Sequence, residues 1–324
     1  MNDKFVFQNA KIKNMELRLF TVQAVQRLVD CKSAQEAYKT LADLGYGSGA
    51  NIAEGDFDAL FSCEEERLVA FLKEFNVDRA LDVFLLQYDY LNLKAILKAQ
   101  AQGQSEARLA PSGLYDVNEL RLWVADCKDE NIPTRVKEAI LSVKPLIEAK
   151  TATPHEIDVA VDKVMYAHVF DVVKKSGKLA LRYFETKIDY VNLLSMFRVK
   201  KLGLSYDFFK DGFIDGGTLK ASVFERLFEG DDETVRDECK HTPYEKAVFD
   251  LLDTGNLVAF EVAMDNALLK MWKNEYNDLF SIAPIVSYYM TRMTELRLAK
   301  LIVAGVKNKV NPQIIKERMR EIYA

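Results

Sequence analysis

The acids Asp231, Asp232 and Glu233 stand in a row. Carboxylates bridge a diphosphate-bound Mg²⁺ when they lie four residues apart on one helix face, so that each reaches the same ion. Position 235 is Val, and the triplet reads instead as an acidic first helical turn, favoured by the helix dipole. Asp253-Thr254-Gly255 has the composition of the aspartic-protease triplet. It follows the apolar helical run 247–252 and has no second copy, so a glycine past a helix end accounts for it. Gly45-Tyr46-Gly47-Ser48-Gly49 lacks the GxGxxG spacing, and no GxxxxGK followed by Ser or Thr occurs, so no phosphate loop is expected. The three histidines form no HExxH: His155 and His241 fall at helix starts, and His168 lies in a helical run. Cys31, Cys63, Cys127 and Cys239 are scattered without a CxxC, which fits unpaired thiols in a reducing compartment. With no Ser or Cys in a nucleophile elbow, the residues imply neither an enzyme nor a bound cofactor or metal.

Another set of polar residues repeats. Asp89-Tyr90-Leu91-Asn92-Leu93-Lys94 returns 100 residues later as Asp189-Tyr190-Val191-Asn192-Leu193-Leu194, and more faintly as Glu295-Leu296-Arg297-Leu298-Ala299-Lys300. Asp89 and Asn92 stand one turn apart on a segment that is apolar nearly all round, as do Asp189 and Asn192. Buried polar groups must be paired. They either tie the helix to a neighbouring backbone or helix end, or line a cavity or partner surface.

The elements that carry these residues read as helices. In 77–95 the apolar residues Val77, Leu81, Phe84, Tyr88, Leu91 and Ala95 recur at three- and four-residue steps. Thr153-Pro154-His155-Glu156 and Thr242-Pro243-Tyr244-Glu245 read as capping boxes with Pro at the first helical position. Ser62, Ser33 and Asp116 open weaker versions, Asn311-Pro312 opens the last helix, and Gly45, Gly103, Gly203 and Gly305 mark helix ends. The predicted fold is all-α, with three helical units at 1–110, 111–210 and 211–324. The junction stretches LAPSGLYD and FIDGGTLK also resemble each other.

Composition closes several classes. With 14 Gly and 7 Pro in 324 residues, the chain lacks the turn residues of a β sandwich or barrel. A hydrophobic share of 49% excludes disorder. The net charge of −5 carries no dominant basic stripe, so nucleic acid is not an expected partner. The first twenty residues interleave charge with apolar residues, unlike a signal peptide. The longest weakly polar run, about a dozen residues at 279–290, is shorter than the ~18 that a membrane span needs. Charge is nevertheless uneven. Residues 205–253 hold 13 acids and 6 bases, whereas 284–324 hold 8 bases and 3 acids. Lys307, Lys309, Lys316, Arg318 and Arg320 form either a solvated helix face or a surface for an acidic partner. Such a surface would be salt-sensitive.

FQNAKIKNMELRLF, DYLNLKAIL, KIDYVNLL and PIVSYYMTRMTELRLAKLIVAGVKNKVNPQIIKERM, taken in order, resemble the central-stalk C subunit of archaeal and bacterial V/A-type ATPases and ATP synthases, whose eukaryotic counterpart is named d. The resemblance runs over essentially the whole chain. It implies three similar helical units around a pseudo-threefold axis, shaped like a funnel. It implies a non-catalytic rotor subunit on the cytoplasmic face of the membrane, peripheral, joining the proteolipid ring to the central shaft for proton or sodium transport. The recurring stretches 103–114 and 203–217 would then be contact rims. The alternative is a helical-repeat adaptor unrelated to rotary motors.

Overall fold

The computed structural model describes residues 4–104 and 107–320, and every regular element among them is helical. Backbone contacts divide the chain into two compact bodies, Met1–Val77 with Val258–Ala324, and Asp78–Leu257.

The first body opens with α1 (Val6–Met15), α2 (Val22–Val29), α3 (Ala34–Asp43) and α4 (Phe57–Glu74). Three of these four starts follow a short polar side chain that accepts an otherwise unpaired backbone N–H, whereas α1 has no side-chain cap. Thr21 accepts from Ala24 at the start of α2, Ser33 from Glu36 at α3, and Asp56 from Ala59 at α4. The start expected at Ser62 is corrected. Ser62 lies inside α4, because Asp56 already supplies the cap six residues upstream.

The second body runs through α5 (Asp82–Ala101), α6 (Val117–Ala125), α7 (Thr134–Glu148), α8 (Pro154–Val172), α9 (Lys178–Lys201), α10 (Tyr206–Gly212), α11 (Ala221–Glu229), α12 (Asp232–Cys239) and α13 (Glu245–Thr254). Asp116 and Thr153 form full capping boxes at α6 and α8. The expected box at Thr242 does not form. The Thr242 hydroxyl donates to the Cys239 carbonyl, and α13 begins after Tyr244 with no side-chain cap. The expected helix across 77–95 is interrupted at its start, where Asp78 and Arg79 take positive φ before α5 begins. Helix α5 is buried on most sides, and Val83, Phe84, Leu86, Tyr90 and Leu93 are at most 1% exposed. Helix α8 lies along α5, joined by ion pairs from Lys94 to Asp162 and from Lys98 to Asp158.

The chain returns to the first body through α14 (Leu257–Asn274), α15 (Ala283–Lys307) and α16 (Pro312–Glu317). Gly305, read from the sequence as a helix end, is a buried interior residue of α15. A Cβ there would overlap Ile315 Cδ1, so the glycine makes room for α16 to fold back. Asn311 caps α16 by accepting from Gln313.

Candidate functional site

Helices α5, α9 and α15 each carry one fully buried carboxylate that accepts hydrogen bonds from the backbone just before a short helix. Asp89, 1% exposed, accepts from the N–H groups of Leu114 (2.8 Å) and Tyr115 (3.2 Å), ahead of the α6 cap Asp116. Asp189, 0% exposed, accepts from Thr218 N–H (2.8 Å), Leu219 N–H (3.0 Å), the Thr218 hydroxyl (2.5 Å) and the Tyr244 hydroxyl (2.6 Å), ahead of α11. Glu295, also 0% exposed, accepts from Phe20 N–H (2.6 Å), ahead of the α2 cap Thr21. Each is a carboxylate clasp. It places a charge-assisted acceptor on donors that a helix start leaves unpaired.

Asn92 and Asn192 complete the first two clasps. Ala110 N–H donates to Asn92 Oδ1 (2.7 Å), and Asn92 Nδ2 donates back to the Ala110 carbonyl (3.1 Å). Asn192 makes the same reciprocal pair with Ile214, at 3.0 and 2.8 Å. A side-chain amide presents both an acceptor and a donor, so it can stand in for a backbone neighbour. In the third copy this position is the apolar, buried Leu298.

Glycine decides which acid fits. A Cβ at Gly217 would overlap Asp189 Oδ1, and one at Gly113 would overlap the Leu85 carbonyl and lie 2.6 Å from Asp89 Oδ1. The short aspartate reaches its amides only because the backbone beside it carries no side chain. When the clasped segments are aligned, the third has Arg18 in place of that glycine. Its acid is Glu295, one methylene longer than aspartate. Sequence reading missed Gly113, Gly217 and Tyr244 as clasp residues. LAPSGLYD and FIDGGTLK held the signal, since Ala110 and Ile214, and Gly113 and Gly217, stand at the same offset of 104 residues.

Around Glu295 lies a buried ionic cluster. Arg292 donates to Glu295 Oε2 (2.6 Å) and to Glu64 Oε2 (3.2 Å), while Glu64 Oε1 accepts from Gly47 N–H (2.9 Å) and Arg67 (2.5 Å). The Arg292 guanidinium lies over the Tyr46 ring, and Phe20 packs 5.5 Å from that ring. Burial holds the Glu295 carboxyl above the ordinary carboxylate range, with Arg292 pulling the other way. In the second body, His168 Nδ1 lies 3.1 Å from the Tyr90 hydroxyl. Burial keeps the imidazole below its ordinary value and the Tyr90 phenol far above its own, so both groups of the pair favour their neutral forms.

The basic residues near the C-terminus are dispersed. Lys307 lies over the Phe57 ring at the end of α15, Lys309 sits in the following turn with φ +54°, and Lys316 and Arg318 are exposed. Arg320 pairs with Asp265 at 2.9 Å. Of the stretches read as rims, 103–114 and 203–217, the clasps bind the backbone at Ala110, Leu114 and Ile214, while Asp215 and Gly216 stay exposed and Leu202 (72% exposed), Leu204 and Phe208 face outward near Gly203. Residues 105 and 106 lie outside the described residues. Among the described residues no group of three or more His, Cys, Asp or Glu could hold a metal ion. Asp231 caps α12 and Gly255 ends α13 in the left-handed conformation. Both therefore act at helix ends.

The sequence profile of the ATP synthase (C/AC39) subunit matches residues 8–318. The chain belongs to this family. The C subunit of the A-type ATP synthase of Pyrococcus abyssi is 26% identical over 360 residues, covering 98% of this chain and 90% of its own. The C subunit of the V-type ATP synthase of Thermus thermophilus is 28% identical, over 91% of this chain and 92% of its own. The C subunit of the V-type sodium ATPase of Enterococcus hirae is 21% identical, over 97% and 98%. The clasps are therefore the internal framework of a C/AC39 subunit, and no helix among its described residues is long and apolar enough to cross a membrane.

Proposed function

We propose that this C/AC39 subunit is a non-catalytic rotor part of a V/A-type rotary ATPase or ATP synthase. It joins the membrane proteolipid ring to the central shaft, so that rotation of one turns the other and drives proton or sodium transport. The observation that carries this reading is the family match over residues 8–318 of an all-helical chain. The subunit lies peripherally on the cytoplasmic face of the membrane, with three units at 1–110, 111–210 and 211–324 around a pseudo-threefold axis and a funnel-shaped outline. Its work is mechanical. Close-packed helices have low compressibility and transmit strain, and the clasps lock three short helices to three long ones. Exposed Lys307, Lys309, Lys316 and Arg318 are offered as separate charged contact points for a motor partner, with Arg320 already paired to Asp265.

The test is a pull-down of the tagged full chain against detergent-solubilised membranes of its source organism. Recovery of a small, very hydrophobic proteolipid together with shaft subunits is expected. Recovery of soluble proteins alone, with proteolipid present in the input, overturns the reading.

A further inference from the structure

The three clasps are unequal, and the inequality has a direction. Asp89 and Asp189 each hold two successive backbone amides, and each is backed by an asparagine pairing reciprocally with a residue of the same loop. Glu295 holds one backbone amide, that of Phe20, and the asparagine position is occupied by Leu298. Asp189 further accepts two hydroxyls. The glutamate also carries one more rotatable bond than aspartate, and fixing it costs side-chain entropy.

With the rest of the chain folded, the freed segment stays tethered by α1 and α3, so the entropy gained on opening belongs to the short stretch between Met15 and Ala34. The contact it gives up ties a segment near the N-terminus to a helix near the C-terminus, 275 positions apart. Opening also leaves no orphan charge behind. Arg292 still neutralises Glu295, and Glu64 remains held by Gly47 and Arg67. The losses are the Phe20 amide bond, the burial of the Phe20 ring beside Tyr46, the exposed Arg27–Asp43 pair and the buried face of α2 formed by Ala24, Val25, Leu28 and Val29.

We propose that the Glu295–Phe20 contact is a latch, from which segment 19–29 detaches before either interior clasp opens and while the rest of the chain stays folded. The latch follows from the geometry of the isolated chain and does not depend on the rotor reading. Under that reading it is the place where the subunit first yields to load.

Native-state hydrogen exchange on the full chain, read by residue-resolved mass spectrometry, tests it. Helices α2, α6 and α11 are matched in length at 8, 9 and 9 residues. The amides of 24–29 are expected to exchange at least about tenfold faster than their counterparts in α6 and α11, as for a low-energy sub-global opening. Glu295→Ala is expected to speed α2 by about a further tenfold with α6 and α11 unchanged, whereas Asp89→Ala speeds α6 and not α2. Equal protection of α2, α6 and α11 in the parent chain overturns the latch, as does a Glu295→Ala effect spread evenly over all three. If that variant does not fold, the parent comparison alone decides.

Discussion

A methyl group added at Gly217 would collide with Asp189 Oδ1, an atom already accepting from Leu219 N–H. The carboxylate cannot retreat without leaving its donors unpaired, so Gly217→Ala is expected to destabilise the chain by about 3 kcal/mol, within the range for breaking a buried polar network. Gly113→Ala should cost a similar amount. Gly103→Ala, with φ +67° but open space around its Cβ, should cost only about 1 kcal/mol, the strain of a left-handed alanine. Denaturant midpoints of the three variants check the ordering, and equal costs would remove the fit between aspartate and glycine. Asp89 and Asn92 were legible as a pair because they lie one helical turn apart. What they hold was not legible, because a backbone amide has no sequence identity. Phe20 was less visible still, since 275 residues and a change from Asp to Glu separate it from the pattern.

His168 gives the residue scale its pH dependence. Its folded pKa is depressed, chiefly by burial, so the unfolded chain takes up the proton first. The stability contribution is complete above the ordinary histidine pKa of ~6.5 and is lost as pH falls below it. The facing groups are Tyr90 on α5, Asp171 on α8 and Arg135 on α7. Unfolding midpoints measured from about pH 7.5 down to about pH 5 should fall, and His168→Asn should flatten that part of the curve. An unchanged slope in the variant would assign the pH dependence to other groups.

At the scale of elements, starts were legible where cap and first turn agreed. Asp116 and Thr153 form the boxes that their sequences spell. Ser62 and Thr242 spell similar boxes and do not form them, because each competes with a local alternative. For Ser62 it is the earlier cap Asp56, and for Thr242 it is the Cys239 carbonyl. Gly305 misled for the opposite reason, being required by packing rather than by an ending. Gly305→Val should therefore displace α16 while leaving α15 helical. Faster exchange confined to 311–318 would support this, and unchanged protection there would not. The ion pair between Lys94 of α5 and Asp162 of α8 is only partly buried, with the side chains 20% and 27% exposed. Lys94→Ala should accordingly cost no more than about 1 kcal/mol and less at high salt.

On the scale of the whole molecule, the all-helical class was legible from period and composition together. Two compact bodies were not, because the first is assembled from both ends of the chain, Met1–Val77 with Val258–Ala324. Local patterns carry no information about such closure. The uneven charge, 13 acids against 6 bases in 205–253, predicts salt-sensitive assembly with partners. Washing a captured complex with salt well above physiological strength should lower the bound fraction, since exposed charges are screened beyond about 3 Å at 1 M. Mechanical coupling is tested most directly by ATP-driven ion uptake into vesicles carrying the source organism's motor with and without this chain. Removing the chain should abolish uptake, and adding it back should restore uptake. Full uptake in its absence, with the chain shown to be missing, would contradict a coupling role.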